Sequence, residues 1–274
     1  MIPTPSDIMY ACPHCKTPLL QFACPGCGKS YPVVEDIPCF LGSPRDSRQK
    51  IREIYDDIYE HHQDVWIDQG RSERFQSWFS DLAASFSTGP LLEIGCGEGM
   101  LLGTFRSRTR AGIDPSIRAL MRARKRSTAR CAVARAEELP FASDSFDIVV
   151  SVGVMEHFES PDVAAAEIRR VLTRSGHYLA LIHTDMTRGE RLRLKVTEFV
   201  FPVPRPVALI KWVRKKLFHP IVQPLRKSYT IDSARAVLER NGLAVTLIIT
   251  RDSHRSAPLA GRHVVILVAG KPAA

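Results

Sequence analysis

The regular alternation of short apolar strands with helical segments between residues 89 and 183 constrains the fold more than any other feature. Parallel strands need a long crossover connection, so this alternation predicts an open α/β sheet of parallel strands. A further helix and two strands joined by a short loop follow near the end of the chain. The predicted strands are 91–95, 111–114, 130–134, 146–152, 177–183, 244–250 and 263–269, and the predicted helices are 117–127, 161–173, 231–241 and one that starts near Glu98.

The chain of 274 residues is long enough for one large domain and a small appendage. Hydrophobic residues at 45% and charged residues at 24% are typical of a folded globular protein and argue against fibrous and disordered classes. No apolar run approaches the roughly 18 residues that a membrane-spanning helix needs. The first ten residues lack the cationic start and apolar stretch of a secretory signal, so we expect a cytoplasmic protein. We expect a cysteine-rich module over 1–43, a helical lid or linker over 44–88, and an α/β domain over 89–274 with an insertion at about 186–229.

Two Cys-x-x-Cys pairs, Cys12 with Cys15 and Cys24 with Cys27, lie close together near the N-terminus. Two residues between cysteines let one tight turn aim both thiolates at a single ion, and two such turns complete the tetrahedral sulfur site that zinc prefers. A redox pair needs only one Cys-x-x-Cys, and a disulfide framework needs an oxidising compartment. The sequence therefore predicts a structural zinc ion with no open position for catalysis. The other cysteines are predicted to be small buried residues: Cys39, Cys96 and Cys131.

Beyond the second cysteine pair the chain reads Tyr-Pro-Val at 31–33 and Ile-Pro at 37–38. With the four cysteines, residues 10–41 resemble the small zinc-ribbon domain that serves as an activator subunit of tRNA and protein methyltransferases. A similar module is fused to the N-terminus of some bacterial methyltransferases. The resemblance implies that this part of the chain binds zinc and accompanies a methyltransferase.

A glycine-rich turn follows the first predicted strand of the α/β region, with Gly95, Gly97 and Gly99 at every second position. A dinucleotide-binding fold wants its third glycine where this chain has Met100, which disfavours a nicotinamide cofactor. Glycines in such a turn permit positive φ and let a ligand approach the backbone, and free amides at the start of a following helix favour a carboxylate. Asp114 closes the next strand, where a carboxylate can accept both hydroxyls of a ribose.

These motifs resemble those of class I S-adenosylmethionine-dependent methyltransferases over residues 89–183, in the group that includes ubiquinone-biosynthesis enzymes. The resemblance implies a Rossmann-like seven-stranded sheet that ends in an antiparallel hairpin. It implies that Glu93 and the three glycines line the methionine and ribose part of the cofactor S-adenosylmethionine, and that Asp114 holds the ribose hydroxyls. Ala136 and Glu137 match the adenine-side loop of the family. Arg135 stands where the family commonly has an aspartate that contacts the adenine amino group, so that contact must come from a backbone group or a neighbour such as Glu137.

Glu156 and His157 follow the fourth predicted strand, at the carboxyl edge of the sheet where open α/β sheets bind ligands. Methyl transfer depends mainly on positioning, but a hydroxyl acceptor must lose its proton, and neutral imidazole is well populated near pH 7. The pair resembles that of quinone O-methyltransferases, some of which also use a divalent ion. We therefore predict His157 as a general base, and a structural histidine that caps the next helix is an equal alternative. His183 and Asp185, after the fifth strand, are weaker candidates.

The positive charge of the chain is concentrated in one segment. Residues 188–227 carry as much net charge as the whole chain, +9, together with several aromatic residues and prolines. Lysines interleave with Trp212 and Phe218, which gives a short helix one apolar and one cationic side, as in interfacial helices. We predict that this segment covers the acceptor side of the site and meets an anionic membrane surface or RNA. A solvated insertion that only keeps the protein soluble is the alternative.

The combined prediction is an S-adenosylmethionine-dependent methyltransferase that methylates oxygen on a small-molecule or lipid-like acceptor, in the cytoplasm or peripherally at the membrane. An RNA methyltransferase is one alternative, supported by the charge and the ribbon, although the basic segment holds no recognisable RNA-binding signature. A non-catalytic, cofactor-binding adaptor is another. The intact glycine turn and Asp114 argue against the adaptor.

Overall fold

The computed structural model describes residues 10–41, 47–61, 72–185, 227–251, 253, 257–259 and 263–272, without the side chains of 47–51. The predicted basic segment lies outside these residues up to residue 226. Within the described part, no helix is both long and apolar enough to cross a membrane. The helices are α1 (Ser47–His61), α2 (Glu73–Phe86), α3 (Ile117–Arg126), α4 (Pro161–Val171) and α5 (Ile231–Arg240), with short 3-10 helices at Ala136–Glu138 and Met155–His157. The strands are β1 (Val33–Val34), β2 (Ile37–Pro38), β3 (Leu91–Ile94), β4 (Arg110–Asp114), β5 (Arg130–Val133), β6 (Phe146–Val152), β7 (Leu172–His183), β8 (Ala244–Ile249) and β9 (Val264–Gly270).

Seven strands form one sheet in the order β5-β4-β3-β6-β7-β9-β8. The first five of these pair in parallel, and β9 pairs antiparallel with both β7 and β8. The predicted Rossmann-like α/β fold with a closing antiparallel hairpin is therefore confirmed. Because the strand order reverses between β3 and β6, the carboxyl ends of these central strands border the crevice where such sheets bind ligands.

Helices cover both faces of the sheet. Leu91 and Ile148 pack on one face with Phe75 and Phe79 of α2. Leu92, the next residue along β3, packs on the opposite face in a cluster that includes α4 and α5. Strands buried on both faces read as continuous apolar runs, as the sequence showed. The faces are thus closed by helices, and the carboxyl edge of the sheet is left for a ligand.

Most predicted elements agree with the structure within a residue or two, but the helix expected from Glu98 is wrong. Residues 97–104 form successive turns instead. Gly97 and Gly99 have φ of 50° and 73°, which no α-helix tolerates, and Gly103 shortens the remaining run further. The fifth predicted strand is also longer than expected, because β7 begins at Leu172, directly after α4.

The cysteine-rich module packs against the edge of the sheet. Its hairpin pairs Val34 with Ile37, and Ile37 is fully buried in a cluster that also contains residues of α3 and β5. Cys39 forms a parallel bridge with Val133 at the end of β5, and the Phe40 amide donates to the Val133 carbonyl at 2.8 Å. The module therefore shares a hydrophobic core with the α/β domain and covers edge strand β5.

Candidate functional site

A cleft opens at the carboxyl edge of the sheet. The ends of β3, β4 and β6 form its floor, and the two 3-10 helices form one side. The remaining wall comes from α1 and from Leu41, the last described residue of the cysteine-rich module. The cleft therefore lies at the reversal of strand order, where the sequence places the cofactor.

Asp114, the last residue of β4, lines the cleft and is 4% exposed. Its carboxylate accepts hydrogen bonds from the Gly97 amide at 3.0 Å and from the Ser116 amide at 2.9 Å. Burial raises the pKa of Asp114 to about 7 in spite of these two bonds, and Asp56 of α1 adds to the rise. Asp114 is thus an acceptor held at the cleft surface at considerable electrostatic cost, which a hydroxyl-bearing ligand would offset.

Glu93 lies in the middle of the sheet, on β3, and is 3% exposed. Burial raises the pKa of Glu93 well above its usual value, and the nearby charge of Asp114 raises it further. Its Oε2 atom has no hydrogen-bond partner among the described residues. Glu93 itself is not one of the residues that line the cleft, but the next residue, Ile94, is. A buried carboxyl oxygen without a partner is expected to meet a donor. Glu93 and Asp114 together therefore fit a cofactor with hydroxyl and ammonium groups.

All three predicted glycines adopt positive φ, and of these Gly95 lines the cleft. Gly97 is covered by α1, because a Cβ atom there would lie only 2.5 Å from Oη of Tyr59. Gly99 is covered by α3. The turn needs glycine at position 97 for its backbone conformation and for the close approach of the tyrosine.

Helix α1 closes the cleft from the other side with Tyr55 and Tyr59, which both line it. Asp56 anchors this helix, since its Oδ1 accepts from the Ser116 hydroxyl at 2.6 Å and from the Arg118 amide at 3.1 Å. The sequence placed a lid here but did not single out the two tyrosines. Their spacing of four residues on an apolar helix face was the signal that could have identified them.

The predicted adenine-side residues Ala136 and Glu137 both line the cleft, as does Arg135. Arg135 pairs with Glu159 through Nη1, and its Nε lies 3.9 Å from Glu137 and 3.8 Å from Glu138. The arginine that departs from the family pattern is therefore surrounded by carboxylates, and its charge is largely balanced within the wall of the cleft.

His157 lines the cleft, whereas Glu156 is 3% exposed and contacts a different histidine. Glu156 Oε1 accepts from the His183 backbone amide at 2.6 Å and lies 2.9 Å from His183 Nδ1. Burial raises the pKa of Glu156, but the bonds from His183 outweigh it, so the pKa lies below its usual value. A Cβ atom on Gly153, which also lines the cleft, would lie 3.2 Å from His183. The carboxylate-imidazole pair is therefore Glu156 with His183, directly behind the cleft wall.

The four predicted zinc ligands come together in the structure. The sulfur atoms of Cys12, Cys15, Cys24 and Cys27 all lie within 4.8 Å of one another. Cys12 is 3.6 Å from Cys27, and Cys15 is 3.3 Å from Cys24. A tetrahedral zinc site separates its sulfurs by roughly 3.8 Å, so the arrangement fits the ion. Tyr31 Oη lies 3.0 Å from the Cys12 sulfur, where it can donate to a thiolate ligand.

Comparison with known proteins connects this site to a reaction class. Residues 92–180 match the family model described as a methyltransferase domain. The tRNA (carboxymethyluridine(34)-5-O)-methyltransferase of Xenopus tropicalis is 30% identical over 160 residues, which are 56% of this chain and 23% of the relative. The fatty-acid O-methyltransferase of Mycolicibacterium smegmatis is 25% identical over 173 residues, 51% of this chain and 61% of the relative. The chain thus spans less than two thirds of either relative.

Solved structures share the fold at low sequence identity. One chain from the complex between the Haloferax volcanii Trm112 methyltransferase activator and the putative methyltransferase superposes with a TM-score of 0.58 at 14% identity, covering 82% of this chain and 98% of that one. The 1,6-didemethyltoxoflavin-N1-methyltransferase of Burkholderia thailandensis, solved with S-adenosylhomocysteine, gives 0.57 at 14% identity, covering 85% and 94%. Residues 92–180 are thus similar to a methyltransferase domain, and the chain shares the fold of solved methyltransferase structures.

Proposed function

We propose that the protein transfers a methyl group from S-adenosylmethionine to an oxygen atom of a small-molecule or lipid-like acceptor. The observation that carries the cofactor assignment is the buried carboxyl group of Asp114, which lines the cleft beside the glycine turn. Glu93 is also buried and comes directly before Ile94, which lines the cleft. When bound, S-adenosylmethionine supplies an activated methyl group. The similarity to a fatty-acid O-methyltransferase supports an oxygen atom on a lipid-like acceptor.

The residues of the cleft have separate tasks in this proposal. Asp114 accepts the ribose hydroxyls, and Glu93 offers its second carboxylate oxygen to the amino-acid end of the cofactor. Tyr55 and Tyr59 close the cleft and exclude water from it. Ala136, Glu137 and the backbone around them border the base of the cofactor.

His157 is the proposed base for a hydroxyl acceptor because it lines the cleft. Glu156 has an indirect, positioning role in this proposal, because its two hydrogen bonds fix His183 at the end of β7. His183 is the competing base, since its imidazole has a carboxylate partner, Glu156, that can orient the ring.

Single variants separate the two histidines. We expect His157→Ala to lower kcat by about 10² to 10⁴ while the affinity for S-adenosylhomocysteine, measured by calorimetry, stays near that of the wild type. His183→Ala is the matched comparison. A normal rate in His157→Ala with a large loss in His183→Ala would transfer the role to His183. Full rates in both would indicate an acceptor that needs no base, such as a carboxylate.

The acceptor class can be identified by incubating the purified protein with cell extract and S-adenosylmethionine labelled in its methyl group. We expect base-stable label in the lipid or small-molecule fraction, as an ether, or base-labile label there, as an ester. Label in RNA would support the second candidate, an RNA methyltransferase, which the similarity to a tRNA methyltransferase and the basic segment favour. Cofactor binding without any labelled product would support the adaptor.

Residues 188–227 are proposed to meet an anionic membrane surface, because their charge is as large as that of the whole chain, +9. Flotation with anionic vesicles, beside RNA gel shifts at the same salt concentration, tests this. Binding to RNA with a steep salt dependence would instead favour the alternative in which this segment binds RNA. If neither surface binds, and neutralising Lys211, Lys215 and Lys216 leaves activity intact, the segment is a solvated insertion.

We also propose that Cys12, Cys15, Cys24 and Cys27 hold one structural zinc ion. The clustering of their sulfur atoms supports this, and the sulfur-only donor set leaves no position for a reacting molecule. A zinc site of this kind contributes on the order of 10 kcal/mol to the folding of a small module.

A further inference from the structure

The cysteine-rich module holds both ends of one wall of the cleft. That wall, here called the wall segment, comprises residues 134–138, of which Ala134, Arg135, Ala136 and Glu137 line the cleft. Before it, the module's Phe40 amide donates to the Val133 carbonyl at 2.8 Å, and after it the module's Ala11 amide donates to the Pro140 carbonyl at 3.0 Å. The wall segment, which contains the 3-10 helix Ala136–Glu138, is therefore bonded to the same module on both of its sides.

A buried carboxylate adds a third link at the second of these ends. Glu167 of α4 is 8% exposed, and its Oε2 accepts from Lys16 Nζ of the module at 2.9 Å and from the Leu139 amide at 2.9 Å. Arg170 donates to both oxygens of Glu167 and also to the carbonyls of Leu139 and Phe141. Burial raises the pKa of Glu167, but Arg170 and Lys16 outweigh it, so the carboxylate is charged. Glu167 thus joins a lysine of the module to the residue that follows the wall segment.

The position of Lys16 is set by the turn around the cysteines. Lys16 follows Cys15 directly, and its amide donates to the Cys12 carbonyl at 2.8 Å. The equivalent residue of the second turn is Gly28, whose amide donates to the Cys24 carbonyl at 2.9 Å. Both residues have positive φ, 64° for Lys16 and 72° for Gly28.

A lysine with positive φ costs on the order of 1 kcal/mol, which glycine avoids. In the first turn the strained position is occupied by Lys16, whose side chain pairs with Glu167. In the second turn the same position is occupied by Gly28, which adopts positive φ without strain.

We propose that Lys16 and Glu167 are positioning residues that connect the four-cysteine turns to the wall segment and thereby set the affinity of the cleft for its cofactor. The inference rests on the proposed function, in which this cleft binds S-adenosylmethionine. Without the lysine, Glu167 is shared between Arg170 and the Leu139 amide alone. The wall segment then keeps its fold but samples positions in which it no longer contacts the cofactor.

The test uses full-length, metal-loaded protein and four variants. Lys16→Gly keeps the positive φ without strain, Lys16→Met keeps the apolar stem, and Glu167→Gln keeps the shape of the side chain. Lys29→Met, an exposed lysine of the second turn, is the matched control. Calorimetry measures the affinity for S-adenosylhomocysteine, amide hydrogen exchange measures protection at Leu139, and elemental analysis measures zinc.

We expect each Lys16 variant and Glu167→Gln to weaken the affinity about tenfold and to speed exchange at Leu139, with zinc content unchanged. The double variant Lys16→Gly with Glu167→Gln should be no weaker than the single ones, because both remove the same link. Lys29→Met should match the wild type.

Unchanged affinity and unchanged Leu139 protection in Lys16→Gly would overturn the proposal. If the wild-type protein does not bind S-adenosylhomocysteine, the proposed function fails, yet exchange at Leu139 still decides whether the link exists. Loss of zinc together with affinity would show that Lys16 acts only by holding the module folded, and would also overturn it.

Discussion

Replacing Asp114 with asparagine should remove one defined contribution to the pH dependence of stability in the protein without cofactor. The folded protein holds the pKa of Asp114 at about 7, mainly through burial, whereas its ordinary value is 3.8. Between these two values the folded state keeps a proton that the unfolded chain has released. The free energy of unfolding therefore falls as the pH rises through this interval and becomes level above the folded-state pKa.

The size of the effect follows from the two pKa values. From about pH 5 to about pH 8 this single group lowers the free energy of unfolding by roughly 2 to 3 kcal/mol. Asparagine has no such dependence, but its single carbonyl oxygen cannot serve both the Gly97 and the Ser116 amide, which costs about 1 to 3 kcal/mol at every pH. The variant should thus be less stable than the wild type near pH 5, and the difference should close or reverse near pH 8.

Denaturant unfolding of both proteins at several pH values, without cofactor, measures this difference. The variant Glu93→Gln should be measured beside it. The charge of Asp114 contributes to the raised pKa of Glu93, so this second variant separates the pH dependence of the two carboxyl groups. Calorimetry should also show that S-adenosylhomocysteine binds the wild type more tightly toward pH 8, since the ionised carboxylate is the better acceptor, and binds Asp114→Asn weakly at all pH values. Parallel stability curves for the wild type and Asp114→Asn would refute the reasoning.

Three further predictions concern the glycine turn, the zinc site and the core. Gly97→Ala should destabilise the protein by about 1 to 3 kcal/mol in denaturant unfolding, because φ is 50° and a Cβ atom would meet Tyr59 at 2.5 Å; Gly103→Ala, whose Cβ would have its nearest neighbour at 3.4 Å, should cost much less. Elemental analysis should find about one zinc per wild-type chain and far less in Cys24→Ser; equal zinc in both would exclude the four-cysteine site. Ser151→Ala should cost about 1 to 3 kcal/mol because it leaves the buried Tyr178 hydroxyl, now 2.7 Å from the serine, without that partner; a neutral effect would mean that Tyr178 finds another.

The sheet could be predicted from the sequence because its central strands are buried on both faces. Residues such as Leu91 and Leu92 face opposite helical layers, so both must be apolar and the strand reads as a continuous run. The helix expected from Glu98 could not be judged in the same way. Its failure depends on the positive φ of Gly99, which the sequence permits but does not require.

The site was only partly predictable, for a related reason. Asp114 could be located because it ends a strand next to the reversal of strand order, which is a property of topology. Tyr59 and Leu41 come from elements far away in the sequence, and their place in the cleft depends on tertiary packing. The neighbours Glu156 and His157 suggested a pair, but the partner of Glu156 is His183, which the pairing of β6 with β7 brings close.

The bridge between Cys39 and Val133 means that the cysteine-rich module covers the edge of β5, so removing the module would uncover this edge. An uncovered edge strand presents free N–H and C=O groups that recruit strands from other molecules. Removing residues 1–43 would expose β5 together with the apolar surface on which Ile37 and Phe40 now lie. The shortened protein should self-associate as its concentration rises, as light scattering would detect. We therefore expect the cysteine-rich module to keep separate copies of the chain from pairing through their sheet edges.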